Sequence, residues 1–180
     1  MSRRRSLKKT TITVWILGLS VLDQILKIVI EAKFFDARFD IIPGFLEFLP
    51  KYNFDYSYLN QVLGLGMGFG FTLVSLVVGA VVFVMLYKLL SHFSRHKVLL
   101  DWAFIFLCSA VVCALFSLIF WPGVLDFIYL RPLFIFDLKD LYIWPGIACL
   151  FISRIKDRKA GVAIKWNDVK EFYNISRRER

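Results

Sequence analysis

Apolar positions in this chain gather into long unbroken blocks, with the polar positions confined to the stretches between them. Four blocks stand out, at residues 10–30, 62–90, 98–121 and 141–155. A helix needs about 20 predominantly apolar residues to cross about 30 Å of hydrocarbon. The first three blocks meet that length. The fourth is short and borrows its first turn from the residues before it, which predicts a last span over 138–155. Between the first two blocks the pattern changes. "FFDARFDIIPGFLEFLPKYNFDYSY" is dense in Phe and Tyr and is broken by Pro43, Gly44 and Pro50. Within it "FLEFL" alternates weakly, as a short strand would. The pattern therefore predicts an all-α membrane protein, a four-transmembrane-helix bundle. A small extracytoplasmic aromatic-rich segment, with room for short β-strands, joins spans one and two and suits the outer membrane interface. Residues 1–155 form the membrane domain and 156–180 a basic cytoplasmic tail. In that tail Ile164, Trp166, Val169, Phe172 and Tyr173 allow an amphipathic helix on the membrane.

Charge orients the bundle. Arg3, Arg4, Arg5, Lys8 and Lys9 precede the first block with no acid among them, and Lys88, Arg95 and Lys97 oppose only Asp101 between the second and third. The stretches 31–61 and 122–140 are slightly acidic. Cytoplasmic loops favour Lys and Arg, so both termini are expected in the cytoplasm. The net charge of +9 then follows from topology and from anionic lipid at the cytoplasmic face. Membrane lipids, and no nucleic acid, are the expected partners. A basic start and apolar core also describe a secretory signal, but no A-x-A-like site follows and the block continues past Asp23 to Ile30. An uncleaved first span is expected.

Several features read as structural. Cys108, Cys113 and Cys149 lie inside predicted spans with no metal-ligand spacing. His92 and His96 stand beside Arg95 and Lys97 with no acidic or thiol partner nearby, which reads as a basic surface. "GLGMGFGF" fails the dinucleotide fingerprint, because Phe69 stands where the third Gly belongs. Its glycines instead give overlapping small-xxx-small pairs suited to close helix approach in lipid. No cofactor and no metal are expected.

The remaining polar residues need an account. "LDQILK" sets Asp23 and Lys27 four apart inside the first span, on one helix face, where they can pair. An isolated charge at mid-bilayer costs about 2.5–3.5 kcal/mol on insertion scales. A structural ion pair and a direct site role stay equally open. Two charges are too few for a transport pathway. Asp126 and Asp140 fall at the outer ends of the third and fourth blocks, which a short link would bring together. Two carboxylates meeting at an apolar wall share a proton. One can then deprotonate water while the other polarises a carbonyl, with no metal required. Spacing alone favours the simpler reading of two solvated loop acids.

The motif order resembles the lipoprotein signal peptidases, or signal peptidase II. That family's first-span D-Q-x-x-K is met in full by "DQILK". Its G-x-V-x-D-F is met by "PGVLDF" through Val124, Asp126 and Phe127, with Gly123 one place late. Its F-N-x-A-D is met by "FDLKDLYI" through Phe136 and Asp140, and its N-x-G-x-A-F falls loosely on "NFDYSY", with Asn53 and Tyr58 as the matching ends. The resemblance spans about the first 155 residues. It implies an intramembrane aspartic endopeptidase of the bacterial inner membrane, with Asp126 and Asp140 catalytic. Asp23, Lys27, Asn53 and Asp137 would shape the site, and a diacylglyceryl-modified prolipoprotein would be the substrate. There are departures. The third-span G-N-x-x-D-R has Ala114, Ser117 and Leu118 at its polar positions, Asp55 replaces a Gly, and Asp137 and Lys139 replace the Asn and Ala of F-N-x-A-D. An acid at Asp137 is expected to raise the proton affinity of the pair, with Lys139 or Arg131 offsetting it. The missing third-span cluster favours an alternative reading, a non-catalytic homologue that binds lipidated or helical membrane clients.

Overall fold

The computed structural model describes residues 6–56, 60, 64–162, 169, 170 and 172. Four long helices dominate: α1 (Lys9–Lys33), α2 (Phe69–Phe93), α3 (Lys97–Phe120) and α4 (Leu138–Lys159). Four strands, β1 (Phe39–Ile42), β2 (Leu46–Asn53), β3 (Val124–Leu130) and β4 (Phe134–Phe136), form one antiparallel sheet in sequence order. Among the described residues α1, α2 and α3 are long and apolar enough to cross a membrane. Their outward faces stay open: none of the most apolar stretch of α2 is buried within the protein. Val74, Val78 and Val82 on α2 and Val14, Leu17 and Val21 on α1 are all exposed. A helix apolar all round, with its outer face unpacked, is built for lipid.

The central element is α3, which packs against α1, α2 and α4. Its contact with α4 is close because Gly146 has no side chain: a Cβ there would stand 2.7 Å from Leu107 Cγ and 2.9 Å from its Cδ2. Gly146→Ala is expected to lower stability by about 1–3 kcal/mol through overpacking, measured by thermal unfolding in detergent. Ala110, Cys113 and Tyr142 form a core between these two helices, with Leu19 of α1 against it. The Tyr142 hydroxyl donates to the Leu19 carbonyl at 3.1 Å.

The sheet exceeds the expectation of a short strand in residues 34–58. Residues 122–140, read from sequence as a plain link, supply β3 and β4, and β3 runs antiparallel along β2. A second core of Ile30, Leu125 and Phe127 fastens the sheet to the end of α1. The predicted start of the second span, Val62, lies outside the described residues, as do Tyr58, Ile164, Trp166 and Tyr173. The described helix α2 begins at Phe69 behind an N-cap at Gly68. Gly64 and Gly66 precede it with φ of +56° and +63°, in the left-handed region that glycine tolerates. The small-xxx-small reading of Gly64 with Gly68 and Gly66 with Gly70 is therefore corrected: Gly64 and Gly66 lie before the helix rather than on it, and a Cβ on any of the four would meet nothing within 4 Å.

The ends of the bundle differ. At the end holding the starts of α1 and α3, Asp101 is fully buried. It accepts from Ser6 Oγ (2.9 Å), the Leu7 amide (2.7 Å) and the Tyr87 hydroxyl (2.8 Å). Asp157 is equally buried and accepts from the Arg95 amide at 3.0 Å. These acids fix Ser6 and Leu7 ahead of α1 and the α2–α3 link. The sheet and the other acids among the described residues occupy the opposite end.

Candidate active site

Two turns of α1, the end of α3, the middle of β3 and the first turn of α4 converge below the sheet. From α1 come Asp23 and Lys27, both fully buried, with Nζ 3.1 Å from Asp23 Oδ2. The same ammonium lies 2.6 Å from Asp137 Oδ2 and donates to Ser117 Oγ at 2.9 Å. Gln24 donates to Asp23 at 2.9 Å and accepts from the Trp121 indole at 3.0 Å. All three polar residues of "DQILK" thus engage partners on other elements or on each other, and the ion pair joins a wider network.

Asp137 is the N-cap of α4. Its carboxylate faces the Asp140 amide (3.4 Å), while Asp140 Oδ2 accepts from the Asp137 amide (3.2 Å), a reciprocal capping box. Such a box satisfies two orphan amides and fixes both carboxylates at the helix start. Asp126 is delivered by β3. Gly123 permits the approach of β3 to β2, since a Cβ there would lie 3.1 Å from the Phe54 ring and 3.2 Å from the Asn53 carbonyl. Across that contact Asn53 Nδ2 donates to Asp126 Oδ2 at 3.3 Å, and Asn53 Oδ1 accepts from the Asp55 amide at 2.9 Å. One carboxylate oxygen from each of Asp126, Asp137 and Asp140 lies within 4.8 Å of the others. An acid triad of this density calls for a cation. Here the chain supplies it: Lys139 Nζ lies 2.7 Å from Asp137 and 3.7 Å from both Asp126 Oδ1 and Asp140 Oδ2.

Four carboxylates therefore share two ammonium groups, and full ionisation would leave negative charge uncompensated in a poorly solvated place. Burial pushes the Asp126 carboxyl up to about 7; Asp137 and Asp140 add to that, while Lys139 and the Asn53 hydrogen bond oppose it. Burial would also raise Asp137, but the ammonium groups of Lys139 and Lys27 hold it below the ordinary carboxylate value. Asp137 is thus a fixed anion at neutral pH and Asp126 a group that exchanges its proton there.

Asp126 and Asp140 open on a cavity of about 580 Å³. Asn53, Asp126, Lys139 and Asp140 line its polar side, and Phe71, Leu118 and Trp144 contribute to the apolar side. Its rim is held by Asn60, whose amide nitrogen donates to the Asp55 and Met67 carbonyls (2.7 and 2.9 Å) and whose oxygen accepts from the Met67 amide (2.9 Å).

Every residue singled out from the sequence, Asp23, Lys27, Asn53, Asp126, Asp137 and Asp140, belongs to this one cluster. One expectation is corrected: Arg131 does not offset the acids; it pairs with Asp40 at 3.1 Å and with Glu47. Asp137 raises Asp126 as expected and also anchors both ammonium groups. Lys139, expected to offset the acids, stands against all three of them. Two contributors escape the sequence, Ser117 reading only as a loss and Asn60 as nothing in particular; each takes its meaning from partners distant in sequence or from loop geometry.

Long lipid-facing helices and a buried carboxylate cluster opening on an apolar cavity define a multi-pass membrane protein with an acid-lined site at one end of its bundle. The chain belongs to the signal peptidase II family, described as signal peptidase (SPase) II, whose profile matches residues 15–156. It is accordingly a protease, a membrane hydrolase of lipoprotein processing. The fold is similar to that of a bacterial membrane enzyme solved by the in meso method at 1.9 Å resolution. That chain is 18% identical, with 86% of this chain and 99% of that one covered and a TM-score of 0.61. A second bacterial membrane enzyme, solved by the same method at 2.3 Å, is 16% identical over 89% and 97% of the two chains, with a TM-score of 0.63. At such identities the likeness is one of fold. No curated protein sequence matches the chain.

Proposed function

We propose that this protein is an aspartic endopeptidase of the bacterial inner membrane that removes signal peptides from diacylglyceryl-modified prolipoproteins. The observation that carries the reading is the approach of Asp126 and Asp140 to within 4.8 Å at the wall of the cavity. The pair holds one proton. Asp126, the more buried member, carries it and donates to the scissile carbonyl oxygen. Asp140, whose side chain is 37% exposed against 8% for Asp126, stays ionised and takes a proton from water as the water oxygen attacks the carbonyl carbon. The resulting gem-diol collapses with cleavage of the C–N bond, and the departing amine receives a proton from the pair. Asn53 orients Asp126, and Asp23, Lys27 and Asp137 hold the floor of the site. The apolar side of the cavity accepts the signal helix and the lipid chains.

In this reading α1 to α4 are the four spans of a membrane domain covering 1–155, with 156–180 a cytoplasmic tail. The buried Asp101 and Asp157 lie at the cytoplasmic end and the sheet lies on the outer surface. The aromatic segment 34–58, with Phe39, Phe45 and Phe54 exposed, closes over bound substrate and excludes water. Since Asp126 must hold its proton, cleavage is expected to fall as pH rises above about 7. kcat/KM of purified protein in detergent, followed from about pH 5 to about pH 9, checks this; a rate still climbing at the alkaline end would contradict it. The direct test is incubation with a lipidated prolipoprotein and detection of the shortened product. The second reading, a homologue that binds such clients without cleaving them, draws on Ala114, Ser117 and Leu118 in the third span. Binding without turnover would favour it.

A further inference from the structure

The site contains one cation that the chemistry above does not use. Lys139 immediately precedes Asp140 in the first turn of α4, lines the cavity and is 12% exposed. Its ammonium donates to Asp137 Oδ2 at 2.7 Å and stands the same 3.7 Å from Asp126 Oδ1 and Asp140 Oδ2. Asp126 Oδ1 is buried and accepts no hydrogen bond, so what faces that oxygen is this charge. The other groups facing the cluster come from every neighbouring element. They are Asp23 and Lys27 from α1, Asn53 from β2, Ser117 from α3, and Asp137 on α4 itself. Lys27 is occupied with Asp23, Asp137 and Ser117, and neither Asn53 nor Ser117 carries charge. Lys139 is thus the one cation within 4 Å of both reacting carboxylates among the described residues.

We propose that Lys139 is a positioning residue of the hydrolysis, whose ammonium, anchored on Asp137, sets the pH range over which the Asp126–Asp140 pair holds a single proton. This rests on the reading of those two acids as the reacting pair. An opposite charge within about 4–6 Å lowers a carboxyl by about 1–3 units. With the ammonium in place the pair releases its second proton early and enters the singly protonated form at lower pH. Without it three carboxylates crowd together with only Lys27 on the far side of Asp137. The pair then binds its protons more tightly, and both limbs of the pH profile move up.

The test compares wild type with Lys139→Met and Lys139→Arg, reading kcat/KM against pH in detergent. The expected result is that Lys139→Met moves both limbs to higher pH by about one unit or more, while Lys139→Arg leaves them in place. A uniform loss at every pH, with unmoved limbs, would mark Lys139 as merely structural and overturn the proposal. Infrared titration of the protonated-carboxyl band, assigned by its disappearance in Asp126→Asn, gives a readout without turnover. Its midpoint should rise in Lys139→Met, or in Lys139→Gln should the Met variant fail to fold, and an unchanged midpoint overturns the proposal. Because that band needs no substrate, it reads Lys139 separately from the dyad. Cleavage by Asp126→Asn would instead sink the dyad and leave the titration result standing.

Discussion

Asp126→Asn and Asp140→Asn proteins are expected to insert and fold normally and each to lose cleavage of a lipidated prolipoprotein by at least about a hundredfold. General acid–base groups contribute about 10²–10⁴ in rate, and here both proton transfers pass through this pair. The substitutions are nearly isosteric. An Asn at position 140 still offers an oxygen to the Asp137 amide, which Asp140 now caps at 3.2 Å. An Asn at 126 keeps its place beside Asn53. The fold should therefore survive, and thermal unfolding in detergent checks that it does. Residues acting as one unit are not additive, so the double variant should fall little below either single one. Product formation by purified Asp140→Asn at near the wild-type rate would remove the assignment.

The second large effect concerns stability. Lys27 is fully buried with Asp23 at 3.1 Å, Asp137 at 2.6 Å and Ser117 at 2.9 Å. Lys27→Met removes the cation that these groups share. Asp137 keeps Lys139 at 2.7 Å, but among the described residues Asp23 keeps a side-chain hydrogen bond from the Gln24 amide alone. Removing one partner of a buried pair costs about 3–5 kcal/mol, because the other charge stays behind without compensation. Lys27→Met should lose about that much in chemical or thermal unfolding in detergent. Adding Asp23→Asn to it should recover part of the loss, since it deletes the stranded charge. A Lys27→Met protein as stable as wild type would show that the network contributes nothing to the fold.

The helices were legible because lipid imposes one long, uniform demand, and blocks 10–30 and 98–121 lie within α1 and close to α3 with only the ends shifting. The head of α4 was legible too, since a block too short to span had to draw on the residues after Asp137. The sheet was not. Strand β2 pairs with a β3 more than seventy residues away, its register slips between Phe48 and Lys51, and neither strand alternates cleanly enough to announce a partner. "GLGMG" reads as helix by composition, and only the positive φ of Gly64 and Gly66 reveals a turn. The acids of the site were individually visible, as charges beside apolar blocks. What joins them was hidden. The charge of Lys139 is legible as an offset to them, but its hold on Asp137 is not, and Ser117 reads as a missing acid until Lys27 reaches it across the bundle. Asp101 and Asp157 were hidden in the same way, reading as charges at the ends of apolar blocks until the fold makes them core acceptors.

The measurement that bears most directly on the central claim is turnover of a diacylglyceryl-modified prolipoprotein by the purified wild-type protein, resolved by mass spectrometry. The account predicts two products, the freed signal peptide and a chain beginning at the lipid-bearing residue, with the rate declining above about pH 7. Stable binding of that substrate with no cleaved product at any pH would contradict it.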